Sequence, residues 1–165
     1  MDPALFDLAR RVGEALSTRG WMLATAESCT GGWIGQCVTM VAGSSAWYDR
    51  GFITYTNAAK MQMLGVSEDA LRMHGAVSEA TVLEMAAGAL ARSSAQVAVA
   101  VSGIAGPGGG SADKSVGLVC IGWAAPGAAC ASSLHFDGDR DAVRRQAVIA
   151  ALEGVIAVAG GHGLS

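Results

Sequence analysis

Apolar residues recur at helical spacing at Leu5, Leu8, Val12 and Leu16, which predicts an N-terminal helix. Asp2 is placed to cap it, Pro3 suits its first turn and Gly20 stops it. A short apolar run over residues 21–25 predicts a strand. After a glycine-bearing turn, Ile34, Cys37, Val38 and Val41 mark a helix over residues 33–41. Residues 42–45 read as a loop, and residues 51–56, rich in β-branched and aromatic side chains, as a second strand. Asn57, Ser67 and Ser78 are candidate caps for three helices: residues 57–64, 68–73, and a longer one carrying Val82, Met85, Ala86, Ala89 and Leu90. The unbroken apolar run over residues 96–102 predicts a buried central strand. A glycine-rich loop over residues 103–111 precedes a strand over residues 116–124. Pro126 and Gly127 then turn the chain into an antiparallel neighbour over residues 129–136. The last helix runs from Arg140 to about Val158, before Gly160 and Gly161.

Strands alternate with helices in the first half and a hairpin comes late. This order predicts a three-layer α/β/α sandwich around a mixed, mostly parallel sheet. Neither repeat nor linker interrupts it, so residues 1–165 read as one domain.

Composition narrows the function. The chain is 52% hydrophobic and 15% charged, with a net charge of -3 and no block of like charges, which argues against a broad nucleic-acid-binding face. The apolar runs are broken well before a membrane span, and the first residues mix acidic and basic groups unlike a signal peptide. A cytoplasmic protein is expected. The four cysteines form no C-x-x-C pair and the histidines are scattered, so neither a metal site nor a cofactor is expected. Apolar content, with Trp33, Trp47 and Trp123 read as exposed, suggests a homodimer.

The candidate chemistry centres on the segment A-E-S-C-T-G-G at residues 26–32. A hydroxyl followed by glycines at a strand-to-helix turn sets Ser28 Oγ beside unpaired backbone N–H groups near Thr30, Gly31 and Gly32. The chain has only two lysines, Lys60 and Lys114, both beside turns. A buried lysine loses its proton more readily and can activate a serine. If residues 51–56 run parallel to residues 21–25, Lys60 and Ser28 share the carboxyl edge of the sheet, where sites in such folds gather. Ser45 is a competing alcohol, and Cys29 a weaker candidate nucleophile. Tyr55 is placed to bond the lysine or a substrate, or simply to pack. A triad built on His74 or His135 would need an acid to orient the imidazole and has no support in the sequence pattern. The loop holding Gly103, Gly106 and Gly108 offers many backbone N–H groups for an anion but has no Walker ending. Arg140 and Arg144, four apart on one helix face, suit a phosphate or carboxylate.

The ordered motifs A-E-S-C-T-G-G, A-G-S-S-A-W-Y, G-F-I-T-Y-T-N-A-A-K, H-G-A-V-S, S-G-I-A-G-P-G-G-G, K-S-V-G and F-D-G-D-R-D-A-V-R-R-Q resemble the CinA C-terminal-domain family. The likeness is to its stand-alone nicotinamide-nucleotide amidase members and extends from about Leu5 to Leu152. It implies hydrolysis of nicotinamide mononucleotide to nicotinate mononucleotide and ammonia by a serine and lysine pair without metal. In this chain the lysine would be Lys60 and the serine Ser28 or Ser45, with Ser28 favoured by its helix-terminal position. Tyr55, Thr30, the glycine loop and Arg140 or Arg144 would contact the nucleotide. A non-catalytic nucleotide-binding module, or an amidase for another amide, are the alternatives. Ser115 stands where the family usually has proline, which is expected to loosen that loop. Many relatives carry an additional N-terminal domain, for which this chain has no room.

Overall fold

A computed structural model describes residues 1–162. Helix α1 (Pro3–Arg19) begins where the Asp2 carboxylate accepts the N–H groups of Ala4 and Leu5. It ends at Gly20, whose φ of 66° suits a residue without Cβ. Strand β1 (Leu23–Glu27) is buried throughout, and helix α2 (Trp33–Thr39) follows it. A short 3-10 turn (Ser44–Ala46) leads into β2 (Tyr48–Ile53). Helices α3 (Asn57–Leu64), α4 (Glu68–His74) and α5 (Glu79–Ala91) precede β3 (Val97–Gly103). The hairpin β4 (Leu118–Ala125) and β5 (Ala128–His135) leads to α6 (Arg140–Ala159), capped by Asp139.

The sheet order is β2-β1-β3-β4-β5. β1 pairs parallel with both β2 and β3, whereas β4 is antiparallel to β3 and β5. β4 alone is therefore reversed, and the expected mixed, mostly parallel sheet is what forms. Side chains alternate across a strand. Leu23, Val97, Val99 and Val101 face α1, α2 and α6 in one core. Ala24, Ala26, Ala98 and Ala100 face α5 and Leu64 of α3 in the other. The small side chains on this second face let the helices approach closely.

Three sequence expectations change. The first two strands lie at Leu23–Glu27 and Tyr48–Ile53, displaced from residues 21–25 and 51–56. The cap of α3 is Thr56, whose hydroxyl accepts the Ala59 N–H at 3.1 Å, and Asn57 is the first helical residue. Trp47 and Trp123 are 6% and 3% exposed and belong to the core, where Trp123 donates to the Ala151 carbonyl. Trp33 is partly buried against the same core. These tryptophans therefore form no exposed apolar patch to support a dimer. No helix among the described residues is long and apolar enough to cross a membrane.

Candidate active site

The carboxyl ends of β1, β2 and β3 meet at one edge of the sheet, and a cavity of about 300 Å³ opens there. Ser28, Cys29, Tyr55, Asn57, Lys60, Ser102, Arg140 and the start of the glycine loop line it. A larger cavity of about 470 Å³ lies at the opposite edge between Trp21, Trp123 and the β4–β5 turn. Arg19, Val158 and His162 also line it, and among the described residues it brings no serine or threonine hydroxyl to a base.

Ser28 is the first residue after β1. Its N–H donates to the Val101 carbonyl at 3.0 Å, which continues the parallel pairing one residue beyond the strand. Lys60 lies one turn into α3, so its long side chain reaches back over the end of β2. Its Nζ sits 3.0 Å from Ser28 Oγ and donates to the Thr54 carbonyl at 3.2 Å. Lys60 is 1% exposed, and burial pushes its amine below the ordinary lysine range, because a cation loses hydration there. Among the described residues no carboxylate forms a salt bridge with it. An amine that gives up its proton more readily in this way is suited, in its neutral form, to accept the Ser28 proton. Burial has the opposite consequence for the neighbouring thiol: Cys29 is pushed up to about 11 and holds its proton at neutral pH.

Two buried or half-buried charges shape the turn that carries Ser28. The Glu27 carboxylate, 2% exposed, accepts Thr30 Oγ1 at 2.7 Å and the N–H groups of Ile34 and Gly35 at 2.8 and 3.1 Å. It caps α2 in place of Gly32, which has no side chain to do so. Arg144 of α6 donates to the carbonyls of Cys29 at 3.0 Å and Thr30 at 3.2 Å. Its guanidinium also lies 5.3 Å from the Trp33 ring centre. In a trans peptide the C=O and N–H point oppositely, so the Thr30 N–H is turned away from Arg144. The Gly31 N–H already donates to Ser28 O and that of Trp33 to Thr30 O. The N–H groups of Cys29 and Thr30 meet no acceptor among the described residues, and of the two residues Cys29 lines the cavity, where its N–H is a candidate donor for an oxyanion.

Several expected site residues stand elsewhere. Ser45 is exposed in the 3-10 turn before β2, at the edge of the sheet opposite Lys60. It lies six residues' length of strand away from the lysine and is not brought to it. Thr30 is fully buried with its hydroxyl on Glu27, and Thr30, Gly31 and Gly32 do not line the cavity. Tyr55 is 60% exposed and its hydroxyl accepts from Arg140 Nη2 at 3.1 Å; it bonds the arginine, not Lys60. Arg140 Nη1 also donates to the Gly106 carbonyl at 2.8 Å, so this arginine ties Tyr55 to the glycine loop at the cavity mouth. Arg144 braces the turn and is not a cavity-lining partner of Arg140. Gly103, Gly106 and Gly108 do line the cavity. Along that loop the N–H groups of Ala105, Gly106, Gly108, Gly109 and Gly110 meet no acceptor among the described residues, as an anion cradle requires.

Lys114 lies outside the cavity and donates from Nζ to the His74 carbonyl, fastening the far end of the loop to α4. Ser115, in the position of the expected proline, shares a 3.0 Å hydrogen bond with His135 Nε2. His135 thus stands on β5, remote from Ser28, and no histidine lines the cavity. Glu27, Asn57, Ser102 and the Thr54 carbonyl went unrecognised from the sequence. Glu27 sits in the singled-out motif, but only the strand register shows that it turns to the opposite face from Ser28. No described group of histidine, cysteine and acidic residues could hold a metal ion.

Comparison with known proteins agrees with this architecture. The family model for the CinA C-terminal domain matches residues 5–159. The chain is 55% identical over 153 residues to nicotinamide-nucleotide amidohydrolase PncC of Escherichia coli K12, covering 92% of this chain and 93% of that one. It is 51% identical to the PncC protein of Pseudomonas putida, covering 94% and 97%. The crystal structure of a competence/damage inducible protein from Agrobacterium tumefaciens superposes with a TM-score of 0.92 at 50% identity, covering 96% of this chain and 97% of that one. The chain belongs to the CinA C-terminal domain family.

Proposed function

We propose that this protein hydrolyses the carboxamide of nicotinamide mononucleotide, with Ser28 as nucleophile and Lys60 as the group that moves its proton. The observation that carries the reading is the 3.0 Å approach of a fully buried lysine amine to a cavity-lining serine hydroxyl. Relatives more than half identical bear the name nicotinamide-nucleotide amidohydrolase, which supplies the substrate.

Neutral Lys60 takes the proton from Ser28 Oγ as Oγ bonds to the carboxamide carbon. The carbonyl π electrons move to oxygen, and the resulting oxyanion faces the N–H group of Cys29. One such donor is worth about 3 kcal/mol in a transition state. The C–N bond then breaks as the Lys60 ammonium returns its proton to the leaving nitrogen, and ammonia departs. Water attacks the acyl-Ser28 ester as Lys60 takes its proton; the C–Oγ bond then breaks, the Lys60 ammonium returns the proton to Ser28 Oγ, and the carboxylic acid product is released. The unpaired amides of the 105–110 loop and Arg140 hold the 5′-phosphate.

The test is release of ammonia and nicotinate mononucleotide from the purified protein. Wild-type protein and Ser45→Ala should turn over alike, whereas Ser28→Ala and Lys60→Ala should not. Full activity in Ser28→Ala, or ammonia released from other amides but not from this nucleotide, would overturn the corresponding part of the reading.

A further inference from the structure

We infer that Ser102 is the residue that recognises the amide nitrogen of the substrate, an inference that rests on the amidase reading above. β1 and β3 are adjacent and parallel, with Glu27 opposite Val101. The Ser28 N–H bond to the Val101 carbonyl carries that register one step further, so Ser28 falls beside Ser102. Ala24, Ala26 and Ser28 form one row on the α5 face of the sheet, and Ala98, Ala100 and Ser102 form the next. Neighbouring rows are roughly 4.8 Å apart. Both rows change from alanine to serine at the cavity.

The sheet order puts β1 between β2 and β3. Lys60, carried by the helix after β2, therefore approaches Ser28 from one side, and Ser102 flanks it on the other. Ser102 is 2% exposed, lines the cavity, and finds no hydrogen-bond partner for its hydroxyl among the described residues. Its hydroxyl is left free to bond a ligand in the cavity, and a ligand group that completes it is bound selectively over one that does not. The carboxamide offers two polar ends. Its oxygen is matched by the Cys29 N–H of the Ser28 turn, and its NH2 by an acceptor on the far side. The lone pair of neutral Lys60 is engaged with Ser28, whereas Ser102 Oγ stands beside Ser28 in the next row with its acceptor unengaged among the described residues. There it accepts an N–H of the bound amide, fixes which way round the carboxamide enters, and holds the nitrogen that leaves as ammonia.

An ester analogue, the methyl ester of nicotinate mononucleotide, separates this role from others because it has no N–H to offer. Ser102→Ala should lose about ten-fold or more in kcat/KM on the amide and change little on the ester, with an unchanged unfolding midpoint. Equal loss on both substrates would make Ser102 an oxyanion donor or a structural residue, and no loss on either would make it a bystander; each overturns the inference. Ser102→Cys keeps the shape with a weaker acceptor and is read the same way should the alanine variant unfold. Wild-type turnover of the amide reports on the parent reading, whereas the amide-to-ester ratio reports on Ser102 alone.

Discussion

At the scale of single residues, burial decides which groups react. Cys29 and Ser28 are neighbours and equally buried at 7% exposure, yet burial disables a thiol that must ionise and leaves an alcohol that needs only a neutral base. The base must be able to lose its proton, which Lys60 can do and an arginine cannot. Lys60→Arg should therefore be as inactive as Lys60→Ala, with turnover down by roughly 10³-fold or more, measured as ammonia release. The activity of wild-type protein should rise with pH through a midpoint below the ordinary lysine value of 10.5. Beside Lys60, Thr54 uses its carbonyl, while its Oγ1 is buried without a hydrogen-bond partner among the described residues. Thr54→Val replaces that hydroxyl with a methyl of similar shape and keeps the carbonyl. Chemical denaturation should show a gain of about 1 kcal/mol in stability, with turnover near wild type.

At the scale of elements, most of the fold could be read from periodicity because each element has its own punctuation. Asp2, Ser67, Ser78 and Gly20 act as the caps their types imply. The reading slipped where a local signal had two owners. Thr56 and Asn57 are both capping residues, and the backbone gave the role to the first. Glycine at position 32 left α2 without a cap of its own, and its partner Glu27 is on the preceding strand, invisible to any local rule. Lys60 could be tied to Ser28 only by supposing β1 and β2 parallel, and Ser45 stayed a rival until that direction was known. The same helix that carries Lys60 depends on one close crossing. Gly88 of α5 packs on the backbone of Leu64 at the end of α3, and a Cβ there would overlap the Leu64 carbonyl. Gly88→Ala should push α3 outward, at a cost of about 1–3 kcal/mol in stability, and should also lower kcat by lengthening the Lys60–Ser28 contact. A variant with a lowered midpoint but undiminished kcat would show that α3 absorbs the change without moving its lysine.

At the scale of the molecule, one buried amine opposes the stability of the whole. Folding takes Lys60 from water, so the unfolded chain binds a proton there more tightly than the folded one. Below the depressed folded value the penalty is fully present; it is relieved as pH rises toward 10.5, because the unfolded state binds the extra proton in that interval. Overall stability need not follow this rise. Burial raises the thiols of Cys29, Cys37 and Cys120, and such groups favour the folded state below their ordinary value of 9.0 and lose that contribution to no one until pH exceeds it. Above 9.0 the unfolded thiols ionise first and stability falls. The two trends oppose, so the lysine is isolated by difference. Lys60→Met keeps a long side chain in place without a titrating group. Unfolding free energies measured from pH 7 to pH 9 should move in favour of the wild type, relative to Lys60→Met, as pH increases. A constant difference would mean that the amine keeps its proton in the folded protein, and a charged Lys60 could not act as the base for Ser28.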